Sequence, residues 1–82
     1  MYKDIKEKIK VRADFDAGRI IPIVIKWRKR NLRIKKINLT YQKKEGGSIN
    51  YFFAVETITG DVLNLRFNNY NFIWFVEECW VG

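Results

Sequence analysis

The sequence predicts an all-β domain: about six antiparallel strands in a meander that curls into a small barrel or half-barrel. Three observations carry this. Apolar residues alternate with polar ones instead of recurring every three or four positions, turn-forming clusters fall about every 8–12 residues, and one strand-like segment changes phase midway, as a bulged strand does. The 82 residues allow one domain, residues 1–82. A chain of that size buries only about 60–65% of its unfolded surface, so its core has to be rich. An aromatic share of 16% supplies that core, since aromatic rings bring the most buried area per residue.

The opening segment reads two ways. Tyr2, Ile5 and Ile9 fit one face of a short helix with Asp4 and Lys8 as an i,i+4 pair, while Ile5, Ile9, Val11, Ala13 and Phe15 also fit strand alternation. The strand reading, from about Glu7 to Phe15, is taken. Asp16-Ala17-Gly18 has turn chemistry, and the strand from Ile20 to Trp27 is expected to place Ile21, Ile23, Ile25 and Trp27 on one face. Pro22 cannot donate to a ladder, so this strand begins at a sheet edge or a bulge.

If Arg28 to Asn31 connect the second and third strands, Trp27 faces Leu32, Ile25 faces Ile34, and Lys26 pairs with Arg33 on the opposite face. Leu32 and Ile34 share one parity and Ile37, Leu39 and Tyr41 the other, which predicts a bulge near Lys35-Lys36. Lys43 to Ser48, with Gly46-Gly47, is the next turn. Ile49 to Thr57 follows, alternating Ile49, Tyr51, Phe53 and Val55, with Phe52 and Ala54 making its other face apolar too. Thr59-Gly60-Asp61 suits a short hairpin turn with Gly at positive φ, leading into Leu63, Leu65 and Phe67. Asn68 to Asn71 is the last turn. The closing segment FIWFVEECWV is apolar on both faces for five residues, which suits a central strand or one covering an interface.

Several kinds of chemistry lack their residues. There is no histidine, and Cys79 is the one cysteine. Ser-His and Cys-His pairs, disulfides and multi-cysteine metal sites are therefore absent, and Zn²⁺ lacks its usual nitrogen ligand. Cys79 reads as a packed small hydrophobe. Glu77-Glu78 are adjacent in a strand and should point to opposite faces, the wrong arrangement for an acid-base pair. Gly46-Gly47 is not followed by the helix a phosphate loop requires. The expectation is no enzyme, no catalytic residue, no metal and no cofactor. The apolar runs are too short for a helix that spans a bilayer, and MYKDIKEKIK lacks the apolar stretch of a signal peptide, so a cytoplasmic protein with no membrane partner is expected.

Charge is the informative feature. The chain carries +7, but residues 1–44 carry +11 and residues 45–82 carry −4, with Arg66 the one cation of the second half. Lys26 to Lys36, KWRKRNLRIKK, is the densest stretch. Arg and Lys on a rigid β-ribbon can track phosphates, so Lys26, Arg28, Lys29, Arg30, Arg33, Lys35 and Lys36 are the candidate nucleic-acid-binding residues, for DNA or RNA through the backbone. The competing reading is an exposed hairpin that carries Lys to blunt its edge. A second basic row, Lys6, Lys8, Lys10 and Arg12, either joins the hairpin in one field or pairs with Glu56, Glu77 or Glu78. Among the aromatics, Tyr41 and Tyr70, near turns, are the candidates for stacking on unpaired bases.

The order of features resembles a family of small bacterial all-β domains of unknown function. The residues that carry the likeness are KIKVRADFDAG, Pro22, Trp27-Arg28-Lys29-Arg30, YFFAVETITGDVLNLRF and FIWFVEECW, spanning residues 7–80. Lys29 stands where that family usually has a turn glycine, so a longer hairpin is expected here. Some members are similar to appendages beside DNA-repair polymerase-like proteins, which implies a nucleic-acid partner. The alternative function is a protein-interaction domain or a self-associating one forming a homodimer, joined through Phe72 to Val76 or the edge at Pro22.

Overall fold

The computed structural model describes residues 1–81. Six strands follow one another as β1 (Tyr2–Asp16), β2 (Arg19–Trp27), β3 (Arg30–Glu45), β4 (Ser48–Thr57), β5 (Val62–Asn68) and β6 (Trp74–Trp80). Each pairs antiparallel with the next, and β6 pairs back onto β1, so the meander closes into a ring. No helix interrupts it among the described residues.

The ring is irregular because its two longest strands change partners midway. β1 pairs β6 through Tyr2–Ile9 and β2 through Lys10–Asp16. β3 pairs β2 only through Arg30–Arg33, then β4 from Ile34 to Glu45. Beyond that handover the N-terminal part of β2 and the C-terminal part of β3 diverge, leaving an open cleft of about 720 Å³ between Arg19–Ile21 and Ile37–Gln42. The first strand is longer than expected because Tyr2, Lys3 and Asp4 find partners in Trp80, Cys79 and Glu78. A register shift at the following residues, where Lys6 sits at φ 52, absorbs the mismatch.

Alternation fills the interior. Leu63, Leu65 and Phe67 of β5 point inward between half-buried neighbours, and Phe53, Val55, Trp74, Val76, Ile9, Ile25, Trp27 and Leu32 join them in one core. Phe67 is its aromatic hub, with Trp74, Phe72, Phe15 and Tyr51 rings at 4.7, 5.9, 6.2 and 6.3 Å.

Four expectations need correction. A register shift between Arg12 and Ala13 turns β2 over, so that Pro22 and Ile20 face inward instead of the Ile21–Ile23 series, and Pro22 is fully buried at that bulge. The β2–β3 connection has two residues, not four: Trp27 opposes Arg30, Ile25 opposes Leu32, and Lys26 opposes Asn31 rather than Arg33. β3 carries its bulge at Lys35 and a second irregularity between Ile37 and Leu39, which sends Leu39 and Tyr41 outward although Ile37 packs on the core. The last strand starts at Trp74, and Phe72 lies in the preceding turn at φ 57, largely exposed.

The short connection is unusual in composition. Both Arg28 and Lys29 have left-handed φ, 52 and 62, the geometry of a two-residue turn that normally selects Asn-Gly. A Cβ makes that conformation costly, about 1–2 kcal/mol per residue. Lys29→Gly should therefore raise stability by about 1 kcal/mol, or about 4–8 °C in Tm for a domain of this size. A thermal melt showing a lower Tm would contradict this turn geometry.

Candidate nucleic-acid interface

The β1–β2 register sets one basic row beside the other. Lys10 opposes Lys26, Arg12 opposes Val24, and across β2 Lys26 opposes Asn31 while Val24 opposes Arg33. Val11, Ile25 and Leu32 pack inward, so these alternate residues share the outer face. Two rows result, Lys10–Lys26–Asn31 and Arg12–Val24–Arg33, one residue pair apart on three adjacent strands. Two shallow hollows lie along them, one lined by Lys10, Val11, Arg12, Val24, Lys26 and Asn31, the other by Lys8, Ile9, Lys10, Lys26, Arg28 and Lys29. No residue lining either hollow is acidic.

The basic hairpin is thereby divided. Lys26, Lys29 and Arg33 join the β1 cations on this face. Arg28 is tied to Glu7, its Nη2 donating to Oε2 at 2.6 Å and its Nε to Oε1 at 3.1 Å. Arg30 lies 3.8 Å from Asp61, whose carboxylate also accepts bonds from the Thr59 and Thr57 hydroxyls, and these, Thr59 first, hold Asp61 below its ordinary value. Lys35 is exposed at the bulge, and Lys36 stands opposite Glu56. Among the described residues only Arg66 makes a third ion pair, with Glu77 at 3.2 Å. Of the two alternatives for the first strand's basic row, Lys10 and Arg12 lie beside the hairpin and Lys8 lines a hollow with Lys26 and Lys29, whereas among the described residues none of Lys6, Lys8, Lys10 and Arg12 makes an ion pair with Glu56, Glu77 or Glu78.

Glu77 and Glu78 depart from simple alternation. A register shift at Asn64/Leu65 lets Glu77 reach Arg66 and Glu78 accept from Asn64 Nδ2 at 3.0 Å, both partners being on the outer face of β5. Cys79 is half-buried and packs against the core.

Glu7 supports the face from below. The buried Trp27 donates its indole N–H to Glu7 Oε1 at 2.9 Å, and the Arg28 guanidinium lies 4.6 Å from the Trp27 ring. Charge-assisted bonding to Arg28, and after it the Trp27 bond, draws the Glu7 carboxyl from 4.5 down to about 2. The unfolded chain then binds this proton more readily than the fold does. The link stabilises the fold above about pH 4.5 and is lost as pH falls through about 2. Wild type should thus melt above Glu7→Gln at pH 6, with the two converging near pH 2. A Tm difference that ignores pH would show that the ionised carboxylate plays no part.

The two stacking candidates separate. Tyr70 lies in the β5–β6 turn, where the side chains of Asn68, Asn69 and Asn71 cap the backbone. Tyr41 lies on β3, stacked on Phe52 with centroids 4.8 Å apart and planes 7° from parallel. No helix among the described residues is long and apolar enough to cross a membrane. Comparison of the chain with protein-family models, with curated proteins and with solved structures finds no match, so the functional reading rests on this geometry.

Proposed function

We propose that this domain is a non-catalytic module that binds nucleic acid through its phosphates, with Lys10, Lys26, Arg12 and Arg33 as the central contacts and Lys8 and Lys29 at the margin. The observation that carries the reading is the Lys10–Lys26 pair: two cations set directly opposite on one face, in hollows lined by no carboxylate. Like charges in that position destabilise a sheet. A phosphate bridging them removes the repulsion and adds attraction, so an anionic partner accounts for an arrangement that folding alone disfavours. The neighbouring cations extend the field over three strands. The resemblance to small bacterial all-β domains, and a cytoplasmic setting, go with this reading.

Binding of this kind is steep in salt. Four to six phosphate contacts imply a slope of log K against log salt of about −3 to −4 on a single strand. Fluorescence anisotropy of a labelled oligonucleotide between about 50 and 200 mM salt measures it. No rise in anisotropy even at the lower salt would overturn the proposal.

A further inference from the structure

A second feature of the surface is legible only in the register. Tyr41 opposes Phe52, Phe52 opposes Arg66, Arg66 opposes Phe75, and Phe75 opposes Lys8. This is one row across β3, β4, β5, β6 and β1 that curves round the outside of the ring, about 19 Å along the curve at about 4.8 Å per strand. It lies outside the ring, since the alternate residues Phe53, Leu65, Phe67, Trp74, Val76 and Ile9 are the ones that fill the interior.

An exterior strand face needs no aromatic rings for the core, and a solvated one is normally polar. Here three rings and two cations share the row. The Lys43 Nζ lies 5.6 Å from the Phe52 centroid, and the Arg66 guanidinium lies 4.4 Å from that of Phe75. Tyr41 is 47% exposed. Arg66 is held by Glu77 and by the buried Asn50, whose Oδ1 accepts from Arg66 Nη1 at 3.3 Å and from Asn68 Nδ2 at 2.8 Å. A guanidinium fixed in this way, with one face on the Phe75 ring, offers its other face to a base, and so does the part of the Tyr41 ring that Phe52 leaves uncovered.

The row also ends where the basic face begins. Lys8 closes the row and lines the hollow shared with Lys10 and Lys26. From this continuity, the geometry points to an unpaired nucleic-acid strand as the ligand, with bases stacked along Tyr41, Phe52, Arg66 and Phe75 while its phosphates run onto Lys8, Lys10 and Lys26. This rests on the phosphate-binding reading and adds the class of nucleic acid to it. A duplex, whose bases are already stacked on one another, could use the cations but not the rings.

The test keeps charge constant and removes the bases. Wild-type protein is titrated with an oligothymidylate and with an abasic phosphodiester strand of the same length, and separately with a duplex. Stacking of one or two bases predicts that the oligothymidylate binds about tenfold or more tightly than the abasic strand. Tyr41→Leu and Phe75→Leu should each shrink that ratio while leaving duplex affinity as it was, which also shows that they fold. Equal affinity for the oligothymidylate and the abasic strand overturns the stacking row and leaves phosphate binding standing. No binding of any of the three overturns both.

Discussion

Lys10→Glu should melt above the wild type and yet bind an oligonucleotide more than tenfold more weakly at about 50 mM salt. The two effects have opposite signs because they come from the same contact. On the folding side, the substitution turns a like-charged cross-strand pair with Lys26 into an opposite-charged one, and such pairs are worth about 0.2–1 kcal/mol. On the binding side, each phosphate contact on a single strand releases about 0.7 of a counterion, which at about 50 mM salt is close to a factor of ten in affinity. Reversal adds repulsion to that loss. Lys10→Glu/Lys26→Glu restores a like-charged pair, now anionic, and should lose the gain in Tm while cutting affinity by a hundredfold or more and flattening the salt slope by about 1.4. If Lys10→Glu leaves affinity unchanged, the face formed by β1, β2 and β3 is not the binding surface. A mere surface-charge role would leave the two readouts uncoupled.

Phe67→Ala should produce the largest loss of stability of any single substitution described. Its ring touches those of Trp74, Phe72, Phe15 and Tyr51, and it is 3% exposed, so truncation leaves a cavity that four other rings line. Removing a buried Phe costs about 3–5 kcal/mol. For 82 residues the whole stability is on the order of 4–12 kcal/mol, so the loss takes a large share of it. At about 4–8 °C per kcal/mol the Tm falls by about 12–40 °C. Urea unfolding should show a lower midpoint with the slope preserved. A loss under about 1 kcal/mol would mean that the interior does not close around this ring.

What could be read in advance, and what could not, divides along physical lines. β5 was plain because Leu63, Leu65 and Phe67 alternate without interruption, and a clean period of two has one reading. The Thr59-Gly60-Asp61 turn was equally plain, since Gly60 supplies the positive φ of 90 that the hairpin needs. The β2–β3 turn was hidden because Arg28 and Lys29 carry no sign of a left-handed conformation. The register there moved by two as a result, although the outward position of Lys26 survived it. The inward face of β2 does not follow from its own pattern, because the shift between Arg12 and Ala13 depends on the partner strand as well.

The candidate site shows the same division. The hairpin cations were visible as a run, but which of them are free depends on contacts over long separations. Glu7 lies 21 residues from Arg28, and Asp61 lies far from Arg30 in sequence. That β1 would bring Lys10 beside Lys26 stood as one of two arrangements until the pairing was known. The row through Phe52, Arg66 and Phe75 was out of reach, because it exists only as the sum of four registers.

The cleft left by the divergence of β2 from β3 bears on how the molecule behaves in a crowd. Asp16 and Arg19 flank a two-residue turn with left-handed Ala17 and Gly18, so they form a hydrogen-bonded pair, and alternation makes Ala13 and Pro22 a non-bonded one. The position where an amide of residue 22 would point into the gap is therefore occupied by the one residue type without an amide hydrogen. A strand from another copy seeking to lodge there meets a broken ladder, and templated stacking of copies is discouraged at the place where the ring gapes.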